Sequence, residues 1–197
     1  IERVQMTDGE LVFQTIVHIA PIGMCGSGIL DAVAQVKECG AMNEKGALDR
    51  EHPLVRMTDD RPEVLIAGAD RTGTGRDIAM SRADINEIQL AKGAMRAGIE
   101  LLFEEAGIEA SDVDEFVIAG AFGTYISVDA AVAIGMFPDI PLNRFRQVGN
   151  AAGIGAKQAL LSTTRRAEAA EISRRVEYME LTVNQRFQDE FMKAMYL

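Results

Sequence analysis

Cysteine is scarce: the 197 residues contain two, Cys25 and Cys39, with no Cys-x-x-Cys spacing. An iron-sulfur cluster needs four thiolates and a disulfide scaffold needs several pairs, so neither is expected within this stretch, and free thiols point to the cytoplasm. Proline is scarce as well, at 5 residues; with 18 glycines, 48% hydrophobic and 25% charged residues the composition excludes a disordered or fibrous chain. Apolar runs are short, none near the ~18 residues of a membrane helix, and no basic segment followed by an apolar one opens the chain, so neither a span nor a targeting leader is expected. Positive charge is in deficit: 20 Lys and Arg stand against 30 Asp and Glu, and the net charge of -10 repels nucleic-acid phosphates, leaving room only for a small local anion site. The chain starts at Ile1 and runs straight into a strand-like pattern. It reads as one large domain or one lobe, a piece of a longer polypeptide.

Residues 4–7 and 10–13 flank Asp8-Gly9, a dipeptide suited to a two-residue turn, which predicts a β-hairpin. The apolar run Ile16-Val17-His18-Ile19-Ala20 predicts a strand, followed by Gly23-Met24-Cys25-Gly26-Ser27-Gly28 and a helix with Ile29, Leu30, Val33 and Val36 on one side. Residues 41–62 read as a mixed loop, 63–67 as a short strand, and 68–77 as a hairpin turn or mobile loop. Ser81 and Asp84 form a capping-box pattern at the start of the longest helical stretch, which runs to Gly107 with Ile85, Ile88, Met95, Ile99 and Leu102 on its apolar face. Beyond it, residues 114–119 predict a buried strand, 128–134 a helix, 145–148 a strand, and a further helix runs through Leu161. A charged helix over 165–175, a strand over 176–181 and a last helix around 185–195 complete the chain.

Glycine-rich segments therefore stand at three strand-to-helix junctions: 23–28, 120–124 and 149–156. Glycine there lets a backbone come close to a ligand, and the free amides of a first helical turn attract anions, so phosphate is the natural occupant. The 23–28 loop, with the Ser27 hydroxyl as an extra donor, is the best candidate. It is neither a Walker loop, lacking Gly-Lys-Ser/Thr, nor a dinucleotide fingerprint, having Asp31 in place of the third glycine. A purely structural tight turn accounts for it equally well.

Cys25, at a helix start, has the position of an activated thiol but no histidine placed to serve it, so a packed small side chain is the simpler reading. His18 and His52 have no partner at metal-ligand spacing, and no metal site is expected. The ten methionines lie on predicted apolar faces, as core filler. Gly149-x-x-x-Gly153-x-Gly155 looks like the cofactor loop of short-chain dehydrogenases, but it lies near the end of the chain, and Tyr178 is followed at the fourth position by Thr182, not Lys. Small residues that permit close helix contact at a hinge explain it physically. On the long helix, Gln89, Lys92 and Arg96 share one face and can reach a nucleotide or form a solvated stripe.

Four blocks in order carry a resemblance: Pro21-Ile22-Gly23-Met24-Cys25-Gly26-Ser27-Gly28-Ile29-Leu30-Asp31, Asp84-Ile85-Asn86-Glu87-Ile88-Gln89-Leu90-Ala91-Lys92, Ala119-Gly120-Ala121-Phe122-Gly123-Thr124-Tyr125-Ile126 and Val148-Gly149-Asn150-Ala151-Ala152-Gly153. Together they resemble the C-terminal part of the ATPase region of the reductive activators of corrinoid proteins. That family belongs to the superfamily of actin, sugar kinases and heat-shock ATPases, whose ribonuclease-H-like lobes clamp ATP between them. The resemblance implies an α/β, ribonuclease-H-like (actin-like ATPase) lobe with a mixed sheet of about five strands flanked by helices. The hairpin and the 16–20 run would supply three antiparallel strands, and 116–119 and 145–148 parallel partners. Along the chain it implies a hairpin (1–16), a phosphate-loop region (16–40), an insertion (41–80), the long helix with an adenosine-loop region (81–136), and a hinge helix with C-terminal elements (137–197).

By the same resemblance, Gly26, Ser27 and Gly28 correspond to the second phosphate loop and Gly120, Ala121, Phe122 and Gly123 to the adenosine loop, with Phe122 either a base contact or a core aromatic. Gln89 and Lys92 face the adenosine side, and Gly149 to Ala156 form the second connecting helix. No catalytic residue can be assigned. The implied activity is ATP-dependent return of Co(II) corrinoid to Co(I) on a partner methyltransferase or corrinoid protein. Mg2+ accompanies the ATP of the full-length protein, and electrons come from an iron-sulfur cluster in another domain. The first phosphate loop and its metal-linked Asp are missing from this stretch, so weak nucleotide binding and no turnover are expected of it alone. Partners expected are a corrinoid protein and, compatible with this reading, a second copy in a homodimer; nucleic acid and membrane are not. A non-catalytic actin-like binding or dimerisation module and a fragment of an NAD-dependent dehydrogenase are the alternatives.

Overall fold

The computed structural model describes residues 1–197, the side chain of Thr182 excepted. The hairpin forms as expected: β1 (Arg3–Thr7) and β2 (Glu10–Gln14) pair antiparallel in register from Arg3↔Gln14 to Thr7↔Glu10, around Asp8-Gly9. The 16–20 run is not a strand. Thr15 Oγ1 donates to Ile19 O at 2.6 Å and closes a 3-10 turn over Ile16–His18, in which Val17 and His18 have φ of 55° and 56°. Among the described residues no strand pairs with this run, and it stays at the surface: Ile16, Val17 and Ile19 are 60%, 75% and 64% exposed.

Helix α1 (Gly26–Glu38) follows, burying Leu30, Val33, Ala34 and Val36. The 41–62 segment, read as loop, contains β3 (Val55–Thr58), which pairs antiparallel with β4 (Arg61–Ala67). β4 in turn pairs antiparallel with β5 (Ile78–Ser81), so 68–77 is the hairpin connection. The sequence carries no strand signal for β3 because Val55-Arg56-Met57-Thr58 is too short to show alternation on its own. Arg56 holds this meander, pairing with Glu63 and Asp77 at 2.7 Å each. Helix α2 (Arg82–Ala106) opens on the anticipated capping box, with the Ser81 and Asp84 side chains each accepting from the other's backbone N–H, and ends at Gly107.

The remaining strands, β6 (Phe116–Ala119) and β7 (Phe145–Gly149), pair in parallel, as expected, with α3 (Val128–Ala133) in the connection. β6 is only partly buried: Ile118 is enclosed while Val117 is 45% exposed. Helices α4 (Ala151–Leu161) and α5 (Thr163–Arg175) bury none of their residues, and α6 (Phe187–Ala194) packs along α2. Residues 176–181 are not a strand; Tyr178 is 83% exposed, and among the described residues no strand pairs with this segment. In place of one mixed sheet of about five strands there are three small sheets, β1-β2, β3-β4-β5 and β6-β7. They share one core, in which Val33 and Val36 of α1, Val64 and Ile66 of β4, Met80, Ile85 and Ile134 are all nearly or fully enclosed. Each such side chain contributes roughly 1.5–3 kcal/mol of burial. Among the described residues no helix is long and apolar enough to cross a membrane.

Candidate functional site

Two parallel strands end side by side at glycines, and the chain leaves both at the same edge. The Gly120 N–H donates to Gly149 O at 2.7 Å, tying the second glycine junction to the third. Gly120 has φ of 110°, a conformation that strains any residue with a Cβ, so glycine is required where the chain turns off β6. The loop beyond is held from below: Gln147 Nε2 on β7 donates to Gly123 O at 2.5 Å and Ile126 O at 2.9 Å. The first helical turn of α4 is capped by Asn150, whose Oδ1 accepts from Gly153 N at 2.9 Å. In open α/β sheets this edge, the carboxyl ends of parallel strands, is where ligands bind.

The first junction comes to the same corner. A Cβ on Gly26 would lie 2.3 Å from Phe122 Cε2 and 2.6 Å from Cζ, so the bare glycine is what lets the Phe122 ring rest on the start of α1. Phe122 is 53% exposed and its neighbour Ala121 is exposed, while Gly123 is buried. Of the two readings of Phe122, the geometry matches a ring offered to solvent rather than a core aromatic. The corner thus combines first-turn amides of α1 with a flat aromatic face, groups suited to an anion and a planar base.

Ser27 sits at this corner but is 3% exposed, and its hydroxyl donates to Glu2 O at 2.8 Å, so that proton is committed within the fold. Gly28 is also buried, and a Cβ there would lie 2.5 Å from Ile1 O, so the glycine leaves room for that carbonyl. Cys25 is the residue before α1, and its thiol donates to Ile1 O at 3.0 Å. Burial pushes that thiol up, but hydrogen bonds with Ser27 and the Gly28 amide pull it further down, and it ends below the ordinary thiol value.

Gln89 and Lys92 are elsewhere. Both are buried, 3% and 1% exposed, beneath the last residues of the chain. Gln89 Nε2 donates to Met195 O at 2.9 Å and its Oε1 accepts from Arg82, while Lys92 Nζ donates to Tyr196 O. Burial, with the cations of Lys37 and then Arg96 nearby, pushes Lys92 down to about 8. Helical spacing correctly put the two on one face; it could not tell that a distant tail covers that face. Gln147 belongs to this corner without a motif to mark it in the sequence. Its only signal is a long amide inside a short strand, one residue away from the glycine at the strand's end.

A family model described as the C-terminal domain of RACo, the ASKHA domain, matches residues 1–197. The chain is 37% identical over 202 residues to the corrinoid activation enzyme RamQ of Eubacterium limosum, an alignment covering 98% of this chain and 34% of that protein. It is 27% identical over 155 residues to a [Co(II) methylated amine-specific corrinoid protein] reductase of Methanosarcina barkeri, covering 79% of this chain and 25% of that one. A solved structure of a reductive activator for corrinoid, iron-sulfur protein superposes with a TM-score of 0.90 at 37% identity, covering 100% of this chain and 32% of that one. The chain therefore spans about a third or less of the length of these relatives.

Proposed function

The chain belongs to the family of C-terminal ASKHA domains of RACo, the actin-like α/β fold, and from that premise we propose that it is the nucleotide-binding lobe of an ATP-dependent activator of corrinoid proteins. In this reading the intact protein returns Co(II) corrinoid on a partner protein to Co(I), one electron per cobalt, delivered from an iron-sulfur cluster in another domain. The observation that carries the reading is the convergence of the three glycine junctions, with Gly26 under Phe122 and Gly120 bonded to Gly149. This convergence is what a lobe that closes on a nucleotide requires, and the match to the family model over the whole length leaves the dehydrogenase reading without support.

The residues present fit one half of an ATP site. At the start of α1 the Gly26 and Ser27 amides would hold a phosphate, and Gly120, Ala121, Phe122 and Gly123 would form a ledge for the adenosine, with Phe122 as the base contact. Gln89 and Lys92 contribute by fastening the C-terminal tail rather than by touching the base. Mg2+ that accompanies a nucleotide would be held by the phosphates and one or two carboxylates rather than by an all-protein cage, and in this reading those carboxylates come from the facing lobe. Cys25 and Cys39, at opposite ends of α1, cannot ligate a cluster by themselves. Mg2+ coordination, water alignment and the electron relay are therefore assigned to the rest of the intact protein, and this lobe supplies binding and closure.

The test is made on the full-length protein. ATP and ADP binding by calorimetry, and acceleration of Co(II) to Co(I) reduction on a corrinoid protein in the presence of ATP and a low-potential donor, are the expected results. Absence of both nucleotide binding and acceleration rejects the proposal. Nucleotide binding with no effect on cobalt favours the non-catalytic actin-like module.

A further inference from the structure

At the other end of α1 from the glycine corner, four cations, Lys37, Lys92, Arg96 and Lys193, line a cavity of about 440 Å³. Lys37 reaches it from the end of α1, and Lys92 and Arg96 from α2, while α3 and α6 form the remaining walls. Nine residues of helix separate Lys37 from Gly28, about 14 Å at 1.5 Å per residue, so this is a separate place from the nucleotide corner. Arg96 is compensated by Glu100 at 2.6 Å, and the cavity's other cation, Lys193, by Glu190 at 2.8 Å. Lys37 and Lys92 are not: among the described residues neither forms an ion pair, Lys37 Nζ donating to Ala133 O at 2.6 Å and Lys92 Nζ to Tyr196 O.

The cavity's two carboxylates, Glu100 and Glu190, are engaged by Arg96 and Lys193, which leaves two ammonium groups facing the cavity without a carboxylate of their own in a chain of net charge -10. Desolvation and mutual repulsion act on Lys92 together, and an anion between the two lysines would relieve both. We propose that this cavity is an anion-binding site for phosphate dianions, either free or as the head group of a small phosphomonoester, with Lys37 and Lys92 supplying the charge. Val132, Ala133 and Ala194 give it an apolar wall against which the body of an ester packs.

The test is thermal unfolding of the whole chain in inorganic phosphate against chloride of equal ionic strength. Phosphate at ten times its dissociation constant is expected to raise Tm by about 3 °C. Lys37→Gln, a change at a partly exposed side chain, should lose more than half of that rise, and Lys37→Arg should keep most of it. Lys92→Met should lose all of it; if that variant fails to fold, Lys37→Gln alone decides. A parallel titration with phenyl phosphate separates the two sources: tighter binding than phosphate assigns the apolar wall to an ester body, equal binding assigns the site to the free ion. Lys37→Gln in the full-length protein is expected to leave ATP affinity unchanged while it loses the phosphate response, so failure of the nucleotide reading, on which this proposal does not depend, is distinguishable from failure of this one. A phosphate effect no greater than that of chloride, or one that persists undiminished in the lysine variants that fold, overturns the proposal.

Discussion

Replacing Gly26 by Ala isolates the contact on which the nucleotide corner depends. The new Cβ would lie 2.3 Å from Phe122 Cε2 and 2.6 Å from Cζ, against an optimal carbon separation of about 3.5–4.0 Å. The ring tip must therefore retreat by more than about 1 Å. Because Phe122 is 53% exposed, the ring can swing outward at a cost of roughly 1 kcal/mol, largely offset by the helix propensity gained on replacing Gly with Ala. Stability is thus expected to stay within about 1 kcal/mol of the native protein, while ATP affinity falls about tenfold as the stacking face moves away. Calorimetry on the full-length protein reads the affinity and urea unfolding reads the stability. Phe122→Ala alone is expected to cost a similar factor in affinity, and the double variant no more than the single ones, because both act through one ring. Additive losses in the double variant, or unchanged affinity in Gly26→Ala, would refute the assignment of Phe122 as the base contact. Gly28→Ala provides the contrast: its Cβ meets Ile1 O at 2.5 Å, a backbone atom that cannot rotate aside, and stability should fall by about 1–3 kcal/mol.

Lys92 carries a pH signature. Its value near 8 in the folded chain lies below the unfolded 10.5, so between those limits the unfolded chain binds more protons and stability rises with pH, by about 2–3 kcal/mol across the window. Urea midpoints at pH 7.5, 9 and 10.5 should show that increment missing from Lys92→Met, and parallel curves for the two proteins would contradict it. Asp31, buried with Oδ1 unpartnered, is raised above 3.8 mainly by burial, partly offset by the Val4 N–H and Arg3. The folded chain then holds the proton longer, so stability falls as pH rises from 3.8 through the folded value; Asp31→Asn should remove that fall and be no less stable at pH 7. Gln147→Ala removes the two hydrogen bonds that hold the 123–126 loop and should cost about 1–2 kcal/mol, with faster amide exchange at Tyr125 and Ile126. Exchange unchanged at those amides would show that the loop is held by other contacts.

Where local rules decide, the sequence alone determined the outcome. Asp8-Gly9 specifies the hairpin, the Ser81–Asp84 capping box and Gly107 bound the long helix, and glycine follows β6 and ends β7 because the chain turns there at positive φ. The order of four motif blocks carried the resemblance to the family, which the family model then matched over residues 1–197. Tertiary structure decided whatever depends on a partner remote in the chain. Residues 16–20 and 176–181 have strand composition, but among the described residues no strand ladder includes them, whereas residues 55–58 become a strand because β4 stands beside them. Gln89 and Lys92 share a face by helical period, yet only the return of the tail, more than a hundred residues later, made that face a buried clamp. The meeting of Gly26 with Phe122 is of the same kind. A strand or a site is complete only when groups distant in sequence satisfy each other, and periodicity does not record that distance.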